Sequence, residues 1–229
     1  MEMEPLRRRR DVLKHLYQRV KDWESFFLSP VDLQSLGIQV FQVRISDDGI
    51  IQSHPCFFFL PYPERVLQKY PLDTLRIGAD DAEDSNEGSP VPHAIMTTVA
   101  HVPANHADQS LTIHEVRAIM NMMIIRTSNR PFRKYPIHPL LVLSYMGGQH
   151  GRIIQALFDG ENLVLQYSQL WSFEDENTAP VELFIRYNIS RPVGLESLDM
   201  GPGPKDGTLP LDSVAGRHEG RPRSEMWAQ

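Results

Sequence analysis

Cysteine is almost absent from this chain: Cys56 stands alone in 229 residues. A single thiol excludes an intramolecular disulfide, leaves no Cys-x-x-Cys pair for zinc, and fits a reducing compartment. Long apolar runs are missing too. None approaches the roughly 20 residues that cross a bilayer. The N-terminal MEMEPLRRRR carries charge where a secretory signal would carry an apolar stretch. Positive charge is in deficit, with 23 Lys and Arg against 29 Asp and Glu. The resulting net charge of −6 and pI near 5.8 argue against nucleic acid as a partner. What is present is an ordinary globular composition, 41% apolar and 23% charged, enough to bury a core. The expectation is a cytoplasmic protein with no membrane partner, no cofactor, and a protein or small molecule as partner. The run Arg7 to Arg10 leaves nuclear import open.

The elements follow from periodicity and punctuation. Leu6, Leu13, Leu16, Val20, Trp23 and Phe27 recur at three- and four-residue steps, which predicts a helix over 6–27. Its four leading arginines run against helix-dipole preference. Ser29, Pro30, Asp32 and Gly37 give a compact helix its cap, first turn and stop. Residues 38–46 and 50–60 read as a hairpin about Asp47-Asp48-Gly49, with Pro55 at an edge or bulge and a short helix over 64–70. Residues 78–92 read as a solvated acidic loop. Asp80, Asp81, Glu83, Asp84 and Glu87 lie in it without the EF-hand register. A strand over 94–102 follows. Thr112 and Glu115 then form a capping box that starts a helix over 112–127, apolar around so much of its circumference that two-sided burial is expected.

Residues 138–173 predict a β-meander. Leu140 to Met146 is continuously apolar, as a central strand would be. Gly147 to Gly151 turns the chain, Arg152 to Phe158 returns, and Asp159-Gly160 is the strongest hairpin signal in the sequence. A two-residue loop there sets Phe158 opposite Glu161, Ala156 opposite Leu163, Ile154 opposite Leu165 and Arg152 opposite Tyr167. That face is the core side; the other pairs Gln155 with Val164 and is expected to be lightly covered. Thr178 caps a further helix over 179–190 with the stripe Val181, Phe184, Ile185 and Ile189, and Pro192 ends it. Proline and glycine then dominate, which predicts a disordered tail over 195–229.

The candidate chemistry is sparse. His93, His101, His106 and His114, with Asp108, offer metal-ligand types, but spacings of eight, five and eight match no compact zinc site. Ser144, His150 and Asp159 are the residue types of a hydrolytic triad; Ser144 lacks the Gly-x-Ser-x-Gly elbow, and the hairpin sets Asp159 at the far end of a strand from His150. The glycines of Gly147-Gly148-Gln149-His150-Gly151-Arg152 suggest a phosphate cradle, yet a strand follows rather than a helix N-terminus. Gln149, His150 and Arg152 are the best ligand-binding patch on the chain. Trp171, Phe173, Tyr145 and Tyr167 could stack on a flat ligand, or simply fill a core.

The order helix, three-stranded meander, helix also matches the core of PD-(D/E)xK nucleases. Glu115 could supply their helix acid. The strand positions Ile154, Gln155, Ala156 and Gln166-Tyr167-Ser168 hold no acid and no lysine, so metal-dependent cleavage is not supported. A degenerate relative that binds nucleic acid through Arg130, Arg133, Lys134 and Arg152 is one alternative. An enzyme with a cofactor-free site at the 147–152 turn is another.

The block LVLSYMGGQHGRIIQALFDGENLVLQYSQLWSF, with PVELFIRYNISRPVG after it, resembles a group of small uncharacterised proteins of filamentous fungi. The resemblance spans about residues 130–194. Some such proteins are encoded beside secondary-metabolite biosynthesis genes, which implies an accessory role and assigns no reaction or residue. The reading as a whole is an α+β protein with a mostly antiparallel sheet of about six strands. Its meander is packed on one apolar face by helices 112–127 and 179–190. The N-terminal segment 1–37 docks on a 38–194 core, and the tail is 195–229. A non-catalytic accessory or binding role is the leading functional expectation.

Overall fold

The computed structural model describes residues 3–46, 49, 59–60, 81–83, 90–104, 110–147 and 149–192. These all belong to one compact unit, Met1–Asp199. The expected strand over 50–58, the turn at Asp47 and Asp48, the 64–70 helix, His106, Asp108 and the 195–229 tail lie outside the described residues.

The sheet is built on the meander β7 (Leu140–Met146), β8 (His150–Phe158) and β9 (Leu163–Ser168). β2 (Ile38–Val43) joins it beside β9, and β5 (Pro90–Ala100) beside β7. β4 (Asp81–Glu83) adds to β5, inside the stretch expected to be an acidic loop. The fold is therefore α+β with six strands in sheet order β2-β9-β8-β7-β5-β4. It is mixed rather than mostly antiparallel, because β2 runs parallel to β9 and β5 parallel to β7. The second parallel pair follows from a helical crossover. β5 leads through α3 (Ile113–Ser128) into β7, and such a connection returns the chain in the same direction. β3 (Phe59–Leu60) pairs with β11 (Arg191–Pro192), and the rest of the expected 50–60 strand lies outside the described residues.

The β8–β9 register is offset by two residues from the expected one: Phe158 faces Leu163, Ala156 faces Leu165 and Ile154 faces Tyr167. The cause is Asp159. Its Oδ1 accepts the backbone N–H groups of Glu161 (2.8 Å) and Asn162 (2.7 Å), which holds both residues in the loop. Because the offset is even, every side chain keeps its expected face.

Helices cover both faces of the sheet. On one face lie α1 (Met3–Lys21) and α3, and on the other α4 (Val181–Asn188). The expectation that both flanking helices share one face is thus corrected. Leu13, Leu16 and Val20 of α1 pack with Val116, Ile119, Met120 and Met123 of α3 over Leu140, Val142, Ile154 and Leu165. Each such side chain contributes about 1.5–3 kcal/mol of burial. α3 packs against both α1 and the sheet, which accounts for its wide apolar surface. Arg117 donates to the Lys21 carbonyl at 2.6 Å, and Arg9 donates to the Pro136 carbonyl at 3.2 Å. These contacts at opposite ends set α1 antiparallel to α3. β1 (Phe27–Leu28) pairs with β6 (Leu111–Thr112) and closes the same end as Lys21.

On the second face, Leu183, Phe184 and Tyr187 of α4 pack on Leu141, Leu143 and Ile153. Val181, expected in this stripe, is half exposed. Thr178 does not cap α4; the first residue before the helix is Pro180, which has no side-chain oxygen to offer, and the Thr178 N–H is taken by the Asp175 carbonyl at 3.1 Å. The short helix α2 (Pro30–Ser35) has the expected Ser29 capping box with Asp32, and Gly37 follows it at φ +82°, where glycine is the low-cost residue.

Candidate functional site

The patch Gln149–His150–Arg152 sits where β7 turns into β8, and the structure takes it apart. Gln149 is exposed in the turn, and its carbonyl accepts the Phe173 N–H at 2.7 Å. His150 is half-buried opposite Met146. Arg152 shares the parity of Ile154 and Ala156, so it enters the layer beneath α1 and α3 and is only 2% exposed. Its Nε lies 3.1 Å from Glu115 Oε1 in the first turn of α3. Its Nη2 approaches Met146 Sδ at 3.5 Å, and the guanidinium carbon stands 5.9 Å from the Tyr167 ring centre.

Glu115 is equally committed. Its Oε2 accepts the Thr112 N–H at 2.6 Å and the Thr112 hydroxyl at 3.0 Å, while the Thr112 Oγ1 accepts the Glu115 N–H at 3.2 Å. The capping box read from sequence is therefore present, and its carboxylate doubles as counter-ion to a buried arginine. A charge this deep requires a partner. The pairing had one signal in the sequence: the expected register already put Arg152 on the core face.

Gly151, on the opposite side of β8, is tightly enclosed. A Cβ there would meet the Phe173 and Phe184 rings at 3.0 and 3.1 Å and the Ser144 carbonyl at 3.1 Å. Those rings belong to an aromatic cluster in which Tyr145, Trp171 and Phe173 surround Phe184 at centroid distances of 5.0–5.5 Å. β10 (Trp171–Ser172) pairs with His150 and Gly151 and brings two of them into place. Burial raises the Tyr145 hydroxyl above its ordinary range. Of the aromatic residues considered for stacking on a ligand, Tyr145, Trp171 and Phe173 are partly buried and pack against the core beneath α4, and Tyr167, 3% exposed, lies under Arg152 on the other face.

The triad types do not meet. Ser144 is fully buried in β7, His150 opens β8, and Asp159 lies beyond the far end of β8 with Oδ1 held by its own loop. The length of β8 separates His150, its first residue, from Asp159 just beyond its end, about 30 Å of rise. The histidines are dispersed as well. His93 is buried at the start of β5 with its ring edge-on to Phe59 at 5.4 Å, His101 is exposed beyond the other end of β5, and His114 is exposed beside Phe26. Among the described residues no group of three or more His, Cys, Asp or Glu side chains could hold a metal ion.

Two further features escaped the sequence reading. His138 is 3% exposed, and its ring nitrogen donates to the Phe132 carbonyl at 3.1 Å. Burial pulls its pKa down to about 4 against the opposing effect of that hydrogen bond, and Arg126 and Arg9 lower it further. Arg126 lies 3.5 Å over the Phe132 ring and donates to the His93 carbonyl at 2.7 Å. The second feature is an open groove of ≈ 910 Å³ along α1, lined by Arg7, Arg8, Asp11, His15, Arg19 and Glu161 among others. It lies at the β8–β9 loop, the opposite end of β8 from Gln149 and His150.

Arg130, Arg133 and Lys134 are exposed after α3, before the first residue of β7, whereas Arg152 is buried opposite Ser144 near the strand's last residues. The basic groove expected from these four residues does not form, because Arg152 is turned inward and occupied. No helix of the described residues is long and apolar enough to cross a membrane. The chain thus belongs, by architecture, with proteins that sandwich a mixed sheet between two helical layers. Comparison with models of protein families, with curated proteins and with solved structures returned no match.

Proposed function

We propose that this chain is a non-catalytic binding or accessory protein. The observation that carries the reading is the Glu115–Arg152 pair. The charged member of the best candidate patch is spent on the interior, and its carboxylate partner is spent on a helix cap. A general acid or base must reach a substrate proton; these two groups face each other under two helices. The fungal resemblance extends the proposal to an accessory role in a secondary-metabolite pathway.

The experiment is complementation of a deletion strain, read as its metabolite profile. The double variant Glu115→Gln/Arg152→Met keeps an oxygen to accept the Thr112 N–H and removes both charges. It restores the wild-type profile if the pair is structural. Failure of a folded double variant to complement would overturn the reading.

A further inference from the structure

The net charge conceals a segregated surface. The antiparallel packing of α1 on α3 brings the first turns of α1 against the segment that follows α3, and the bond from Arg9 to the Pro136 carbonyl fixes the two side by side. Arg7 and Arg8 are exposed on the first bank, and Arg130, Arg133 and Lys134 are exposed on the second. None of these five forms an ion pair among the described residues. Lys134 lies 4.9 Å over the Tyr135 ring, which leaves its charge uncancelled.

The placement is unfavourable in the free protein, because exposed like charges on adjoining segments repel one another. A bound phosphate turns that repulsion into attraction. Arginine also presents a planar fork that suits phosphate oxygens. Two banks on separate elements, with no polar cradle between them, match a series of phosphates better than one. Of the large exposed apolar residues, Phe26 and Val31 lie beyond the other end of α1, and Ile125 alone stands near the rim, in the last turn of α3, too little apolar surface to enter a lipid layer. The α1 groove itself carries Asp11 and Glu161, so the contact belongs to the rim at the helix start rather than to the groove's length.

We infer that this rim, Arg7 and Arg8 with Arg130, Arg133 and Lys134, binds the sugar–phosphate backbone of a nucleic acid without reading its bases. The inference rests on the binding-protein reading and names its partner class.

The test is fluorescence anisotropy of the full chain with labelled oligo-dT and oligo-U of about 20 nucleotides, long enough to cover one binding face. Four to five phosphate contacts predict a loss of affinity of about 50- to 130-fold between roughly 50 and 200 mM salt. Arg130→Glu/Arg133→Glu and, separately, Arg7→Glu/Arg8→Glu should each weaken binding at least about tenfold and lower the salt slope by about 0.7 per cation removed. Lys21→Glu/Arg44→Glu makes the same change in net charge at the opposite end and should leave affinity within about twofold, since distant exposed charges are screened. Tighter binding of oligo-U than oligo-dT assigns RNA, and the reverse assigns DNA. Absence of binding at low salt, equal losses in the control variant, or preference for phosphatidylserine vesicles over both oligonucleotides would overturn the inference. Complementation by the Glu115→Gln/Arg152→Met variant would still stand in that case, so the broader reading fails or survives separately.

Discussion

Arg152 Nε lies 3.1 Å from Glu115 Oε1, and the two side chains are 2% and 1% exposed. One residue stands in the middle strand of the meander and the other in the first turn of α3. The same carboxylate accepts the N–H and hydroxyl of Thr112 through its other oxygen. A single acid therefore closes a helix and answers a charge in the sheet, which joins the helical layer to the strands.

Removing one member of the pair should cost far more than removing both. Arg152→Met leaves the Glu115 charge buried, and a loss of about 3–5 kcal/mol is expected, as for other broken buried pairs. The double variant Glu115→Gln/Arg152→Met should recover most of that. Urea unfolding of both single variants and the double gives the coupling directly. Additive losses within about 0.5 kcal/mol would show that the two charges do not depend on each other.

The caps of α2 and α3 were legible because a capping box is local: Ser29 with Asp32, and Thr112 with Glu115, are each three residues apart. The faces of β7, β8 and β9 were legible for the same reason, since alternation needs no knowledge of neighbours. Strand partners were not. Period-two patterning says which side of Val40 is buried, and nothing says that Val40 lies beside Leu165 in parallel. The offset at Asp159 turned on one carboxylate bonding its own loop. Arg152 reads as a ligand-binding residue from its place beside the 147–151 turn, although its parity puts it on the core face; that conflict is the available clue to Glu115. The bases at 7–8 and 130–134 were each visible in the sequence; that α1 lies beside the segment after α3 was not, because a helix's partner, like a strand's, is not a local property.

Gly151 should resist substitution for a steric reason rather than a conformational one. Gly151→Ala puts a methyl group within 3.0–3.1 Å of two aromatic rings and the Ser144 carbonyl. The rings can shift; the carbonyl belongs to the neighbouring strand and cannot easily do so. Overpacking of this kind costs about 1–3 kcal/mol. Thermal unfolding of the variant should show a lowered midpoint together with altered near-ultraviolet dichroism from Trp171. A midpoint equal to wild type would mean that the cluster around Phe184 is looser than its packing shows.

Tyr187 ties α4 to the segment beyond β2. Its buried hydroxyl donates to the Gly49 carbonyl at 2.9 Å, and burial raises its pKa well above the ordinary tyrosine value. Tyr187→Phe keeps the ring among Leu141, Leu143 and Phe184 and removes only the donor. The expected loss is about 1–2 kcal/mol, the scale of a buried hydrogen bond whose acceptor is left unmatched. Hydrogen exchange should report faster opening near Gly49 while the β7–β8 amides keep their protection. Uniform acceleration across the sheet would point instead to a general packing defect.

His138 sets an acid limit on stability. In the unfolded chain its imidazole takes a proton near pH 6.5, whereas in the folded protein burial holds that pKa down to about 4. The unfolded state therefore binds more protons as pH falls below 6.5, and the sign follows: this contribution is fully present above that pH and is lost on acidification towards 4. The full loss is roughly 3 kcal/mol for a shift of this size. Arg126 and Arg9 oppose a third positive charge on the ring, and the Phe132 carbonyl, which favours the protonated form, only partly offsets the effect of burial. His138→Gln keeps a donor within reach of that carbonyl and removes the titration. Stability of the wild type should thus fall between pH 6.5 and 4 more steeply than that of the variant, by up to one proton's slope. Parallel pH profiles for the two proteins would place the acid sensitivity elsewhere in the chain.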